Sequence, residues 1–131
     1  MAGEVILPDE FKAAYENWKF APAIRAGGMV YVSGVLGFDA NATIPADVTE
    51  EIEQAFANAQ IVLAAAGLDF SDIVEMTTFH IDLATHLPAF AAVKDTYFPK
   101  PYPSWTAIGI SALALPGARL EMRIIALDKQ L

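Results

Sequence analysis

Residues 73–83 alternate with a period of two, Val74, Met76, Thr78 and His80 falling on one side and Ile73, Glu75, Thr77, Phe79 and Ile81 on the other. That spacing, rich in β-branched and aromatic side chains, predicts a strand. Upstream the period becomes helical: Ile52, Phe56, Ala59, Val62, Leu63 and Ala66 recur after Asp47-Val48-Thr49-Glu50, where a capping oxygen precedes a glutamate by three positions. Gly67 terminates this helix. Residues 20–26 and 29–33 are expected to pair across Gly27-Gly28, a dipeptide that takes positive φ without strain. Pro88, near the start, and Pro99, after the end, bracket a second helix over about 87–98. Two further strands, near 104–112 and 119–127, join through Leu115-Pro116-Gly117. Ahead of the hairpin lie a short apolar run, Val5-Ile6-Leu7, and a polar-aromatic stretch over 9–18 read as one or two helical turns. Gly34, Gly37, Asp39, Asn41 and Pro45 read as loop.

The resulting order, strand, strand, helix, strand, helix, strand, strand, predicts an α+β domain spanning residues 1–131, with two helices on one face of a single mixed sheet. In the 104–112 strand, Thr106, Ile108 and Ile110 are assigned beneath the helices. Trp105, Ala107, Gly109 and Ser111 are assigned to the opposite face, toward another subunit.

Composition narrows the possible partners. Hydrophobic residues make up 55% of the 131, yet no stretch approaches the ~18 continuous apolar residues of a membrane span. The surplus apolar surface is expected to meet other copies of the chain. Met1-Ala2-Gly3-Glu4 lacks the basic and apolar regions of a signal peptide, so a cytoplasmic location is expected. With no cysteine, thiol chemistry is excluded. A net charge of −8, with the eight basic residues scattered, disfavours nucleic acid and anionic membranes as partners. His80 and His86 lack metal-ligand spacing and read as ordinary surface or interface histidines; no metal site is expected. Arg25, beside the glycine pair, reads as a solvated hairpin residue.

Five segments carry a resemblance to a known family: Ala23-Ile24-Arg25-Ala26-Gly27-Gly28, Met29-Val30-Tyr31-Val32-Ser33-Gly34, Gln54-Ala55-Phe56-Ala57-Asn58 continuing to Ala64-Ala65-Ala66-Gly67, Met76-Thr77-Thr78-Phe79, and Leu115-Pro116 with Leu120-Glu121-Met122-Arg123-Ile124-Ile125-Ala126. In order and without large gaps over about 20–127, they resemble the Rid family of reactive-intermediate deaminases, also called the YjgF family. The resemblance implies a chorismate-mutase-like fold, a homotrimer whose sheets form a central barrel, and ligand clefts between subunits. It also implies hydrolysis of a small enamine or imine to a keto acid and ammonia without metal or organic cofactor.

Under that resemblance Glu121 matches the glutamate that assists water, while Ser33 and Gly34 match a small strand-end motif. Trp105 stands where the family carries its carboxylate-binding arginine. Phe20 replaces a usual tyrosine and Val35 a frequent glutamine. Arginine offers a permanent charge and a planar fork, whereas tryptophan offers a π face and one N–H donor. Slow turnover of 2-aminoacrylate is therefore expected. Trp105 is read either as a substrate-packing wall or as filler of the cleft or interface. Glu121 is read as the catalytic acid/base, or as the partner of Arg123 in an ion pair. Arg123 alternatively supplies the missing cation. Thr106, Ser33 and backbone groups around Gly34 are assigned to substrate hydrogen bonding, and Phe20 and Tyr102 to lining the cleft. A non-catalytic ligand-binding or protein-interacting trimer is the main rival, and an endoribonuclease a more distant one.

Overall fold

A computed structural model describes residues 2–129. Met1, Gln130 and Leu131, which the 1–131 domain reading includes, lie outside the described residues. The strands are β1 (Glu4–Ile6), β2 (Ala23–Ala26), β3 (Met29–Leu36), β4 (Ile73–Ile81), β5 (Ser104–Ile110) and β6 (Leu120–Leu127); the helices are α1 (Lys12–Trp18), α2 (Val48–Ala65) and α3 (Leu83–Asp95). The six strands form one sheet in the order β1-β2-β3-β6-β4-β5. Only β4 and β5 pair in parallel, so the α+β, mixed-sheet expectation holds.

Among the described residues there are three α-helices: α1 falls within the 9–18 stretch read as one or two helical turns, and the other two cover the sheet. α2 lies over β3 and β6 and α3 over β4 and β5, whereas α1 buries none of its residues. α2 begins where expected, because the Asp47 carboxylate accepts the Glu50 N–H at 3.0 Å. Gly67 follows its end at φ 77°, a conformation that favours glycine. α3 starts four residues earlier than expected, at Leu83, and contains Pro88. Asp82, at φ 53°, turns the chain directly out of β4, and its carbonyl accepts the amides of Thr85 and His86. The proline removes the bond that would reach the Ala84 carbonyl, a loss tempered by the exposure of both residues to solvent.

The core lies between the sheet and these two helices. Phe56 of α2 stacks on Tyr97 at 4.6 Å and on Phe90 of α3 at 5.8 Å. Met76, Met122 and Ile124 meet this cluster from below, each fully buried. Such aromatic and aliphatic burial is the main source of stability for a sheet covered on one side.

Two ion-pair nodes tie the edges to the core. Arg25 is not a solvated hairpin residue: it donates to Asp128 Oδ2 at 3.0 Å, to both Glu4 oxygens and to the Ala66 carbonyl at 2.6 Å. It joins β1 and the chain after β6 to the end of α2, a role invisible in local sequence. Glu51 of α2, fully buried, accepts the backbone N–H and the Nε–H of Arg119, each at 2.7 Å. Arg119 also donates to the Pro45 carbonyl.

Candidate functional site

Strand pairing fixes which side chains share a face. Met76, Thr78 and His80 point toward the helices and are buried. β5 runs in register beside them, Met76 opposite Trp105, Thr78 opposite Ala107 and His80 opposite Gly109. Trp105, Ala107 and Gly109 therefore face the helices, the reverse of the expected assignment. A Cβ on Gly109 would stand 3.4 Å from Leu83 of α3, which confirms that side. Thr106, Ile108 and Ile110 lie on the open face. The alternation was legible, but the apolar residues alone misled about its phase, because this edge strand exposes isoleucines on the open side.

Trp105 is 36% exposed and packs against α3, its ring 5.7 Å from Phe90. Its indole N–H donates to Thr78 Oγ1 at 2.9 Å. Thr78 also meets His80 Nε2 at 2.7 Å, making a short polar row beneath the helices. His80 is thus neither surface nor interface within the chain: it is 1% exposed and abuts Phe90 edge-on. Burial lowers its pKa, with His86 adding to the effect, so the ring is neutral at pH 7. His86 bonds the Ile81 carbonyl through Nδ1. Among the described residues no group of three or more His, Asp or Glu is placed to hold a metal ion.

Glu121 occupies the opposite face. It pairs with Phe79 of β4 and Leu36 of β3, and lies beside the irregularity between Val32 and Val35 that contains Ser33 and Gly34. A Cβ on Gly34 would come within 2.5 Å of Glu121 Oε2, so the carboxylate occupies space that only glycine leaves open. Burial raises the Glu121 pKa above the ordinary carboxylate value. Arg123 shares this face but is exposed, and no Glu121–Arg123 ion pair forms among the described residues. Arg123 does not stand beside Trp105 either, since the sheet separates them. Ser33 donates its hydroxyl to the Ala21 carbonyl at 2.5 Å, so its proton serves the fold rather than a ligand. Thr106 is exposed on the open face.

Phe20, 42% exposed, just precedes β2, while Tyr102, 63% exposed, precedes β5. β2 and β5 are four strand spacings apart, roughly 19 Å at ~4.8 Å each. Within one chain, then, Glu121 and Gly34 come together, and Phe20 directly precedes Ala21 and Pro22, whose carbonyls accept from Ser33 beside Gly34; Trp105 and Tyr102, at β5, stand apart from them. Two open surface concavities, one around Pro45, Pro116 and Arg119 and one around Tyr15, Lys19 and Phe20, include neither Trp105 nor Glu121.

Lys94, to which the sequence reading gave no role, packs against Trp105. It is 7% exposed, and its ammonium lies 4.5 Å from the Trp105 ring centroid and 5.3 Å from that of Phe98. Its signal was available: Lys94 follows Phe90 by four residues and so falls on the buried stripe of its helix, where a charged side chain calls for explanation. Thr78 was recognised only as a strand position.

Comparison with known proteins agrees with this architecture. The family described as Endoribonuclease L-PSP matches residues 11–128. RutC family protein YjgH of Escherichia coli is 35% identical over 122 residues, covering 92% of each chain. A Capra hircus protein named 2-iminobutanoate/2-iminopropanoate deaminase is 33% identical over 114 residues, covering 83% of this chain and 80% of its own. A solved structure of protein YjgH superposes with a TM-score of 0.89 at 34% identity over 97% of both chains. With the sheet order, the covered face and these matches in agreement, the chain belongs to the Rid/YjgF family, whose matched description is Endoribonuclease L-PSP.

Proposed function

We propose that this protein is a hydrolytic deaminase-type enzyme acting on a small imine, enamine or related carbon–nitrogen intermediate, in a cleft completed by neighbouring copies of a homotrimer. The observation that carries the reading is Glu121: a carboxyl without an ionic or hydrogen-bond partner among the described residues, raised in pKa by burial and seated against a glycine that makes room for it. Such a group takes a proton from water when ionised and returns it when protonated. Water adds to the C=N carbon while Glu121 accepts its proton and passes it to nitrogen, giving a carbinolamine; Glu121 then carries the hydroxyl proton to nitrogen, the C–N bond breaks as the C=O forms, and a carbonyl compound and ammonia leave. Gly34 backbone groups, Thr106 and Tyr102 orient the substrate, and Trp105 and Phe20 wall it. No cofactor is needed for these steps. Relatives named as iminobutanoate/iminopropanoate deaminases support the reaction class.

The open face of the sheet supports assembly. It exposes Tyr31 at 43% and Ile108 at 39%, and Glu121 and Trp105, assigned to one cleft, lie on opposite faces of the sheet, so a cleft that uses both draws on another copy. A net charge of −8 weighs against RNA as the substrate. The non-catalytic reading draws on Trp105, whose only N–H is already committed to Thr78 and whose ring packs on α3.

The test is release of 2-oxobutanoate and ammonia from 2-iminobutanoate generated in situ by an amino-acid oxidase. The protein is expected to accelerate hydrolysis above the spontaneous rate, and Glu121→Gln to lower kcat at least about 100-fold. No acceleration by the wild type favours the non-catalytic reading; a fully active Glu121→Gln removes the role of Glu121.

A further inference from the structure

Lys94 is a charged side chain on the buried stripe of α3. It makes no ion pair, and its ammonium makes no hydrogen bond among the described residues. Burying an ammonium in this way is costly unless something compensates it. Two features do so in part: the faces of Trp105 and Phe98 at 4.5 and 5.3 Å, and the α3 C-terminus, whose last turn carries Lys94. Neither neutralises the charge. Among the described residues no fully buried side-chain nitrogen or oxygen lacks a hydrogen-bond partner, so the Lys94 Nζ, which has none, is not completely sealed from solvent. The ammonium lies against Trp105 of β5, the outermost strand of the sheet, and against Phe98.

We propose that Lys94 is the anion anchor of this cleft, binding the carboxylate of a small organic acid whose short hydrocarbon body rests on Trp105 and Phe98. The chemistry of the neighbours selects that ligand. The Trp105 N–H is committed to Thr78, and Thr78 in turn to His80, so the ammonium is the free donor of this cluster. A single point charge flanked by apolar rings suits a monoanion with a carbon chain better than a compact polyanion, which would also meet a chain of net charge −8. Arg123, on the other face of the sheet, does not compete for this position. The inference deepens the proposed function, resting on it for the identity of the substrate as an imino acid. Its test reads binding alone, so its failure and a failure of hydrolysis are separately visible.

The indole N–H resonances of Trp18 and Trp105, assigned with Trp18→Phe, report binding in a nitrogen–proton correlation spectrum. Butanoate should shift the Trp105 resonance saturably, whereas butanamide, its neutral counterpart, and inorganic phosphate should bind at least tenfold more weakly. Lys94→Met keeps the stem and removes the charge; it should weaken butanoate at least tenfold, and Lys94→Arg should restore most of the affinity. Equal binding of butanoate and butanamide, an absence of any saturable shift, or undiminished butanoate binding by Lys94→Met overturns the proposal. Phosphate binding as tight as butanoate overturns the carboxylate assignment. Should Lys94→Met fail to fold, the comparison of butanoate with butanamide on the wild type decides alone.

Discussion

His80 shows how far a single residue departs from its local appearance. A histidine in an alternating strand looks like a surface group, yet its neighbours on the same side, Met76 and Thr78, are fully buried, and so is the imidazole. Its pKa is lowered chiefly by that burial. An unfolded chain protonates this ring below about 6.5, while the folded chain resists until lower pH. In that window the unfolded state binds more protons, so stability is fully present above the unfolded pKa. It is lost as pH falls toward the folded pKa, by at most about 1.4 kcal/mol per pH unit. Urea unfolding at about pH 7 and about pH 5.5 should therefore show a steeper loss for the wild type than for His80→Gln. Identical losses would mean that His80 does not hold its neutral form in the fold. Glu121 carries the opposite sign, since its raised pKa favours the folded state as pH falls, and the comparison with a variant at position 80 isolates the histidine from it.

At the scale of elements, the placement of α2 depends on a contact that spans the chain. Glu51 is fully buried and holds both the amide and the guanidinium of Arg119, just ahead of β6. Glu51→Ala leaves these donors without their acceptor, and a cost of about 3 kcal/mol is expected from urea denaturation. A loss below about 1 kcal/mol would show that water or Pro45 replaces the carboxylate without penalty. This node was not legible in sequence, because its partners are 68 residues apart and Glu51 sits in a run of acidic residues that reads as a solvated face. Periodicity did reveal α2 and β4, whose patterns are long and whose caps are conventional. It misplaced the start of α3, where Pro88 looked like a first-turn residue but lies inside the helix. It also inverted the faces of β5, since an edge strand with Ile108 and Ile110 on one side and Trp105 on the other is apolar on both. The resemblance pointed to Glu121 and Gly34, and the irregularity in β3 brings the two together. Lys94 was missed because a lone lysine carries no motif, although its spacing four residues after Phe90 put it on the buried stripe; its burial against Trp105 shows why that spacing matters.

At the scale of the whole molecule, one face of the sheet is covered by α2 and α3, while the other presents Tyr31, Phe79, Ile108, Ile110 and Ile125 around Glu121 and Arg123. A mixed apolar and charged face of this kind is suited to meeting its own copies rather than water alone. The account rests on that meeting, because Glu121 and Trp105 lie on opposite faces of one chain's sheet and the proposed cleft uses both. No described helix is long and apolar enough to cross a membrane. Light scattering on a sizing column, at micromolar protein, measures the assembly directly: the account predicts a single species at three times the 14.1 kDa chain mass, and a monomer would contradict it by leaving the cleft without its second wall.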